Sequence, residues 1–206
     1  MPTITSIKPQ KNKKRLNIYL DDKFGFGLDL ESFVKFGLKV GQGISEEEIR
    51  KIVNESEFQK NYDKILKFGS LRPRSKKEYN DWLKKHKVHE SLHAKLFNRL
   101  KYLDFINDKK FALWWIEQRV AFRSKSKRVL IQELRSKGVD KDIVDDVLFE
   151  SELDELKVAN KLLEKKKYRW EKLGDYEARI KKSQFLARNG FDWETIKKVL
   201  KVDYDD

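Results

Sequence analysis

The segments ELRSKGVDKDIVDDVL (133–148) and FLARNGFDWETIKKVL (185–200) repeat one pattern at a constant offset of 52 residues. Leu134 pairs with Leu186, Gly138 with Gly190, Val139 with Phe191 and Asp140 with Asp192. Val144 then pairs with Ile196, Val147 with Val199 and Leu148 with Leu200. Each copy describes the same local structure. A helix stops at a glycine, the residue that enters the left-handed region without a steric penalty. An apolar residue tucks back, an aspartate caps the next helix, and its inner face follows at i, i+3 and i+4. Units that recur at this period cannot bury their apolar faces alone, so they stack as tandem modules. A fainter copy lies 51 residues upstream, where Leu83 matches Leu134, Val88 matches Val139, Leu96 matches Val147 and Phe97 matches Leu148. Lys87 stands there in place of the glycine. Three modules of about three helices each are expected, over residues 58–107, 108–153 and 154–206.

Residues 1–57 follow another period. Ile4, Ile7, Leu16, Ile18, Leu20, Phe24, Phe26 and Leu28 alternate with polar residues, as half-buried strands do. Asp21-Asp22-Lys23 separates two such runs and reads as a hairpin turn. A short helix over 30–36 stops at Gly37, and Ser45 with Glu48 forms a capping box, with Ile44 stapled to Ile49. Ser75 and Glu78 form a second box ahead of Trp82 and Leu83. Asn107 or Asp108 caps a helix carrying Phe111, Ala112, Trp115 and Ile116, and Asp175 caps a later one. The expected fold is mainly α. Three tandem three-helix modules form an elongated array, curved to the right or the left, after a small N-terminal β-hairpin and helix.

All three histidines lie in HKVHESLH (86–93), and His89-Glu90-Ser91-Leu92-His93 matches the H-E-x-x-H pattern of zinc peptidases. The repeat register argues against a metal site. His89 takes the capping position of Asp140 and Asp192, and His93 the buried position of Val144 and Ile196. The five residues therefore straddle a helix start, whereas paired zinc histidines need regular i, i+4 spacing within a helix. Leu96 and Arg99 stand where the extended motif needs glycine and histidine. With no cysteine there is neither a disulfide nor a thiolate zinc site, and no phosphate-binding glycine loop is present. No enzyme activity, metal or cofactor is expected.

The chain carries a net charge of +13, which favours polyanionic partners. Residues 59–110 hold 15 basic and 6 acidic groups, a net of +9; the other segments are +1 (1–58), −1 (111–154) and +4 (155–206). In each module the positive charge lies in or near the connection into the second helix. Arg72, Arg74, Lys76 and Lys77 mark the first. Arg119, Arg123, Lys125, Lys127 and Arg128 mark the second, and Arg179, Lys181 and Lys182 the third. Stacked modules would align these groups in one stripe facing phosphate or an acidic protein surface. Trp115 belongs to the apolar set, whereas Trp114 is open to either core packing or base stacking. The opening MPTITSIKPQKNKK has no apolar h-region, and the longest apolar run, FALWWI (111–116), is too short to cross a bilayer. A cytoplasmic protein without membrane contact is expected.

The stretches RPRSKKEYNDWL, YLDFINDKKFALWWIEQRV and RVLIQELRSKGVDKDIVDDVL resemble the RecX family, bacterial regulators of the RecA recombinase. The similarity spans about residues 60–200. It is most specific at Asn107-Asp108-x-x-Phe111-Ala112-x-x-Trp115-Ile116-x-x-Arg119 and at Glu133-Leu134-x-x-Lys137-Gly138-Val139. Asn107 stands where aspartate is usual, Lys87 replaces the first-module glycine, and the third module has a longer lysine-rich insert near 165–172. The resemblance implies three three-helix modules behind a more variable N-terminal segment, and no catalysis. It implies a monomer lodged in the groove of the RecA–single-stranded DNA filament, bridging protomers. There it would limit extension, ATP hydrolysis and strand exchange, within homologous recombination, DNA repair and the SOS response. An independent nucleic-acid-binding helical module is the alternative.

Overall fold

The computed structural model describes residues 1–11 and 15–201. The chain divides into two compact units, residues 1–71 with 86–100, and residues 72–85 with the chain from 101 onward.

In the first unit, strands β1 (Ile4–Pro9), β2 (Arg15–Leu20) and β3 (Lys23–Asp29) form an antiparallel sheet in that order. The expected hairpin is β2–β3, and Asp21 and Asp22 take φ of 45° and 63°, as a two-residue hairpin turn with the right twist requires. A third strand joins it, because β1 pairs with β2 from Ile4 opposite Leu20 to Pro9 opposite Leu16. Alternation buries Ile4, Ile18, Phe26 and Leu28 on one face, against Leu38, Ile44 and Ile52. Helix α1 (Leu30–Phe36) is capped by Asp29, which accepts from Ser32 N at 2.7 Å, and ends at Gly37 with φ of 59°. Helix α2 (Glu46–Ser70) begins with the full Ser45–Glu48 box, and Ile49 packs on the core that holds Ile44. It runs as one helix of 25 residues, passing without a break through positions 57 and 58. Helix α4 (His93–Tyr102) follows a 3-10 turn at Glu90–Leu92.

Among the described residues, the second unit holds α3 (Lys76–Lys85) and six further α-helices. These are α5 (Asp108–Gln118), α6 (Lys127–Ser136), α7 (Lys141–Glu150), α8 (Glu155–Lys165), α9 (Asp175–Arg188) and α10 (Trp193–Leu200). Helices α5 to α7 enclose Phe111, Ala112, Trp115, Ile116, Leu130, Leu134, Val139, Val144, Val147 and Leu148. Helices α8 to α10 enclose Val158, Ala159, Leu162, Leu186, Phe191 and Ile196. Val120 and Leu153 pack against both cores and join them. Asn107, not Asp108, caps α5. Asp192 caps α10, but Asp140 makes no side-chain cap on α7, and Gly174 holds the cap position of α9, with Asp175 its first residue. The second capping box is half made: Ser75 accepts from Glu78 N at 3.2 Å, while the Glu78 carboxylate turns to Arg72 and Lys137.

The repeat is used a second time, as a joint. At the start of α3, Ser75 Oγ donates to Lys137 O (2.8 Å) and Lys76 N donates to Asp108 (2.7 Å). At the start of α6, Ser126 Oγ donates to Asn189 O (3.0 Å) and Lys127 N donates to Glu155 (2.8 Å). Each helix start thus seats on the glycine turn of the following three-helix set. Gly138 and Gly190 take φ of 79° and 86°. A Cβ on Gly138 would lie 2.7 Å from Lys77 Cβ, and one on Gly190 2.7 Å from Ser126 Oγ. Those glycines serve a left-handed turn and a close approach together.

Candidate functional site

All twelve cations expected to bind a polyanion lie in the second unit. They separate into a held group and an unpaired group. Arg72 makes a two-pronged pair with Glu78 (2.9 and 3.0 Å), donates to Pro73 O, and lies 5.3 Å from the Trp114 ring centre. Arg119 pairs with Glu133 at 2.6 Å and stacks 4.0 Å from the Trp115 ring centre. Glu133 also accepts from Trp115 Nε1 at 2.8 Å. Lys137 reaches both Glu78 (3.1 Å) and the Trp115 ring (5.2 Å). Two tryptophans, two carboxylates and three cations therefore interlock, and the flat guanidinium suits this pairing and stacking. Burial alone would raise the Glu78 carboxyl, but hydrogen bonds from Arg72 and Lys137 outweigh it and hold the group below its ordinary value. Burial, then the charge of Arg72, lowers Arg74, which is half-buried just ahead of α3.

Trp115 is a core ring, 8% exposed. Trp114 is half-buried, touches Phe111 and Trp115, and carries Arg72 on its face, so neither ring is a bare stacking platform. Sequence reasoning missed Glu78, Glu133 and Lys137 as members of this group. The Lys137–Glu78 pair spans 59 residues, a separation for which the local pattern carries no signal.

The second group surrounds the start of α6. Helix α5 runs into a π-helical turn, Arg119–Arg123, that ends at Ser124 with φ of 47°. Ser124 Oγ is buried without a hydrogen-bond partner among the described residues. Such a turn costs free energy, and turns of this type recur at functional sites. It projects Phe122, 72% exposed, and Arg123 outward. The side chains of Arg123, Lys125, Lys127 and Arg128 form no ion pair with a described residue. On α9, Lys181 pairs with Glu177 (2.7 Å), whereas Arg179 and Lys182 are likewise unpaired among the described residues. On α3, Lys77 pairs with Asp81 at 3.2 Å, and the Lys76 side chain is exposed.

His89 and His93 serve the turn before α4. His89 Nδ1 accepts from Ser91 N at 3.3 Å, and His93 Nε2 lies 2.9 Å from Val88 O. Among the described residues no three His, Cys, Asp or Glu side chains are grouped to hold a metal, and no helix is long and apolar enough to cross a membrane.

Comparison with known proteins agrees with this architecture. Residues 2–45 match the family profile of the regulatory protein RecX N-terminal domain. Residues 107–148 and 153–200 match the second and third three-helix domains of RecX. The regulatory protein RecX of Bacillus subtilis (strain 168) is 35% identical over 212 residues, covering 100% of this chain and 79% of the relative. Its Bacillus licheniformis counterpart is 35% identical over 208 residues, with the same coverage of 100% and 79%. A crystal structure of a regulatory protein RecX superposes with a TM-score of 0.71 at 25% identity, covering 98% of this chain and 100% of that one. RecX from Lactobacillus salivarius gives a TM-score of 0.61 at 27% identity, covering 70% and 95%.

Proposed function

We propose, for a chain that belongs to the RecX family of regulatory proteins, that it acts on the RecA recombinase by docking on the RecA–single-stranded DNA filament. The family is one of regulators and not of enzymes. The observation that carries this reading is the unpaired cluster Arg123, Lys125, Lys127 and Arg128 at the start of α6. Unpaired surface cations attract a polyanion, whereas cations already neutralised by carboxylates attract it weakly. A nucleoprotein filament offers both phosphate and acidic protein to such a surface. In this role the chain works as a cytoplasmic monomer with modules over 58–107, 108–153 and 154–206, and lowers filament extension, ATP hydrolysis and strand exchange. Arg179 and Lys182 extend the attraction on α9, and Lys76 on α3.

The test is titration of the full chain into RecA filaments on single-stranded DNA, reading ATP hydrolysis and filament length. Both should fall as protein is added, and neither should fall with an R123E/K125E/R128E variant. Unchanged rate and length at excess parent protein would remove the proposal.

Exposed Phe122 beside Arg123 favours a second reading, direct binding of naked single strands by stacking plus charge. In that case affinity without recombinase should fall with salt at a slope of about −0.7 per phosphate neutralised.

A further inference from the structure

The three repeat copies place equivalent turns at 86–89, 137–140 and 189–192. In the last two, a helix start sits on the turn, and its side chains leave no room for a Cβ at Gly138 or Gly190. The first turn differs in sequence and in surroundings. Lys87 keeps the left-handed backbone, with φ of 51°, at a position where lysine is strained and glycine is not. His89 replaces the aspartate of the other two copies. Lysine for glycine and histidine for aspartate therefore make this turn basic, where the turn at 137–140 is neutral and the one at 189–192 acidic. Within the first unit this turn faces α2 across a cleft of about 570 Å³.

The lining of the cleft is cationic. Its carboxylate, Glu57, is taken by Lys60 at 3.0 Å. Lys64 and Lys87 line it as well and have no ion pair among the described residues. His89 Nδ1 accepts from Ser91 N, which leaves the proton of the neutral ring on Nε2 as a donor. Asn61 and His86 add polar groups to the wall.

From this we infer that the cleft between α2 and the Lys87 turn is a binding site for a phosphate-bearing anion, held by Lys64, Lys87 and His89. The volume falls in the range that admits a nucleotide-sized ligand. The site lies outside the cations assigned to filament docking and stands independently of that assignment. Phosphate could come from a free nucleotide or from the backbone of a single strand, and the experiment separates the two.

The full chain is titrated with pyrophosphate, ATP and a short oligothymidylate, following calorimetry and the imidazole resonances of His86 and His89. Saturable binding of at least one of these, with shifts at both rings, is expected. Lys87→Gly gives the left-handed position its preferred residue, so its melting temperature should equal or exceed the parent's. Its affinity should nevertheless fall by about fivefold, the loss of one ion pair, and Lys64→Gln should act alike. Arg128→Gln, in the other unit, should bind as the parent does. Binding of ATP and pyrophosphate without the oligomer identifies a free nucleotide, and competition by the oligomer identifies strand phosphate. Absence of saturable binding by all three, or parental affinity in both Lys87→Gly and Lys64→Gln, overturns the site.

Discussion

Around Trp114 and Trp115, the cations Arg72, Arg119 and Lys137 are each held by Glu78 or Glu133. One helical turn further along the chain, from Arg123 to Arg128, four cations stand without a carboxylate among the described residues. In the sequence the two groups are indistinguishable, since both are arginines and lysines leading into a helix. Their surroundings differ in one respect. The first group borders a joint between helical sets, where desolvation makes an unpaired charge costly and draws in a carboxylate. The second lies on an exposed turn, where water solvates the charge and no partner is required. Positive charge in a sequence therefore overstates the surface available to a polyanion, because a joint consumes part of it.

Variants at four places test this contrast, in order of expected effect on stability. Trp115→Ala removes a buried ring and two cation contacts, and should cost about 3–5 kcal/mol, read as a lower denaturant midpoint. A loss under about 1 kcal/mol would mean the cluster is not structural. Glu78→Ala strands Arg72 and Lys137 half-buried and should cost about 2 kcal/mol, discounted from a fully buried pair for partial exposure. Its pH dependence has a definite sign. The folded Glu78 carboxyl lies below the unfolded value of about 4.3, so its contribution is complete above that pH and is lost as pH falls through the lower folded value. Glu78→Gln should therefore flatten the acid limb of the stability curve.

Ser126→Ala removes the hydroxyl that seats α6 on Asn189 O and should cost about 1 kcal/mol, with Ser75→Ala matching it at the other seat. Unequal losses would show that the two joints are not energetic equivalents. The R123E/K125E/R128E variant should change stability by less than about 0.5 kcal/mol. It should nonetheless abolish filament binding at physiological salt, which a melting curve and a co-sedimentation assay would separate.

Much of the fold was legible because it is local. Gly37, Gly138 and Gly190 stop helices with φ between 59° and 86°, and the inner faces at Leu134, Val144 and Val147 are buried as their spacing requires. The capping pattern was less secure. Asp140 shares its register with Asp192, yet only Asp192 bonds the backbone, because a cap depends on a side-chain rotamer as well as a residue type. The strand β1 was visible as alternation in Ile4 and Ile7, but its pairing with β2 is a contact between separated segments. The candidate site was half legible. The cations were found, while their division into held and unpaired groups rests on Glu78, which reaches Lys137 across the joint, and on Glu133, which meets Arg119 between neighbouring helices of one set.

By itself the sequence determined several helix starts, the stops at Gly37, Gly138 and Gly190, that one helical unit recurs, and that the chain is strongly basic. Each follows from period, backbone preference or composition, which act over a few residues or over the whole chain. Only the tertiary structure decided that the glycine turns receive the start of an earlier helix, and which cations are neutralised there. Those outcomes depend on desolvation and on side-chain geometry, up to contacts as distant in the chain as Glu78 with Lys137, and no local rule encodes them.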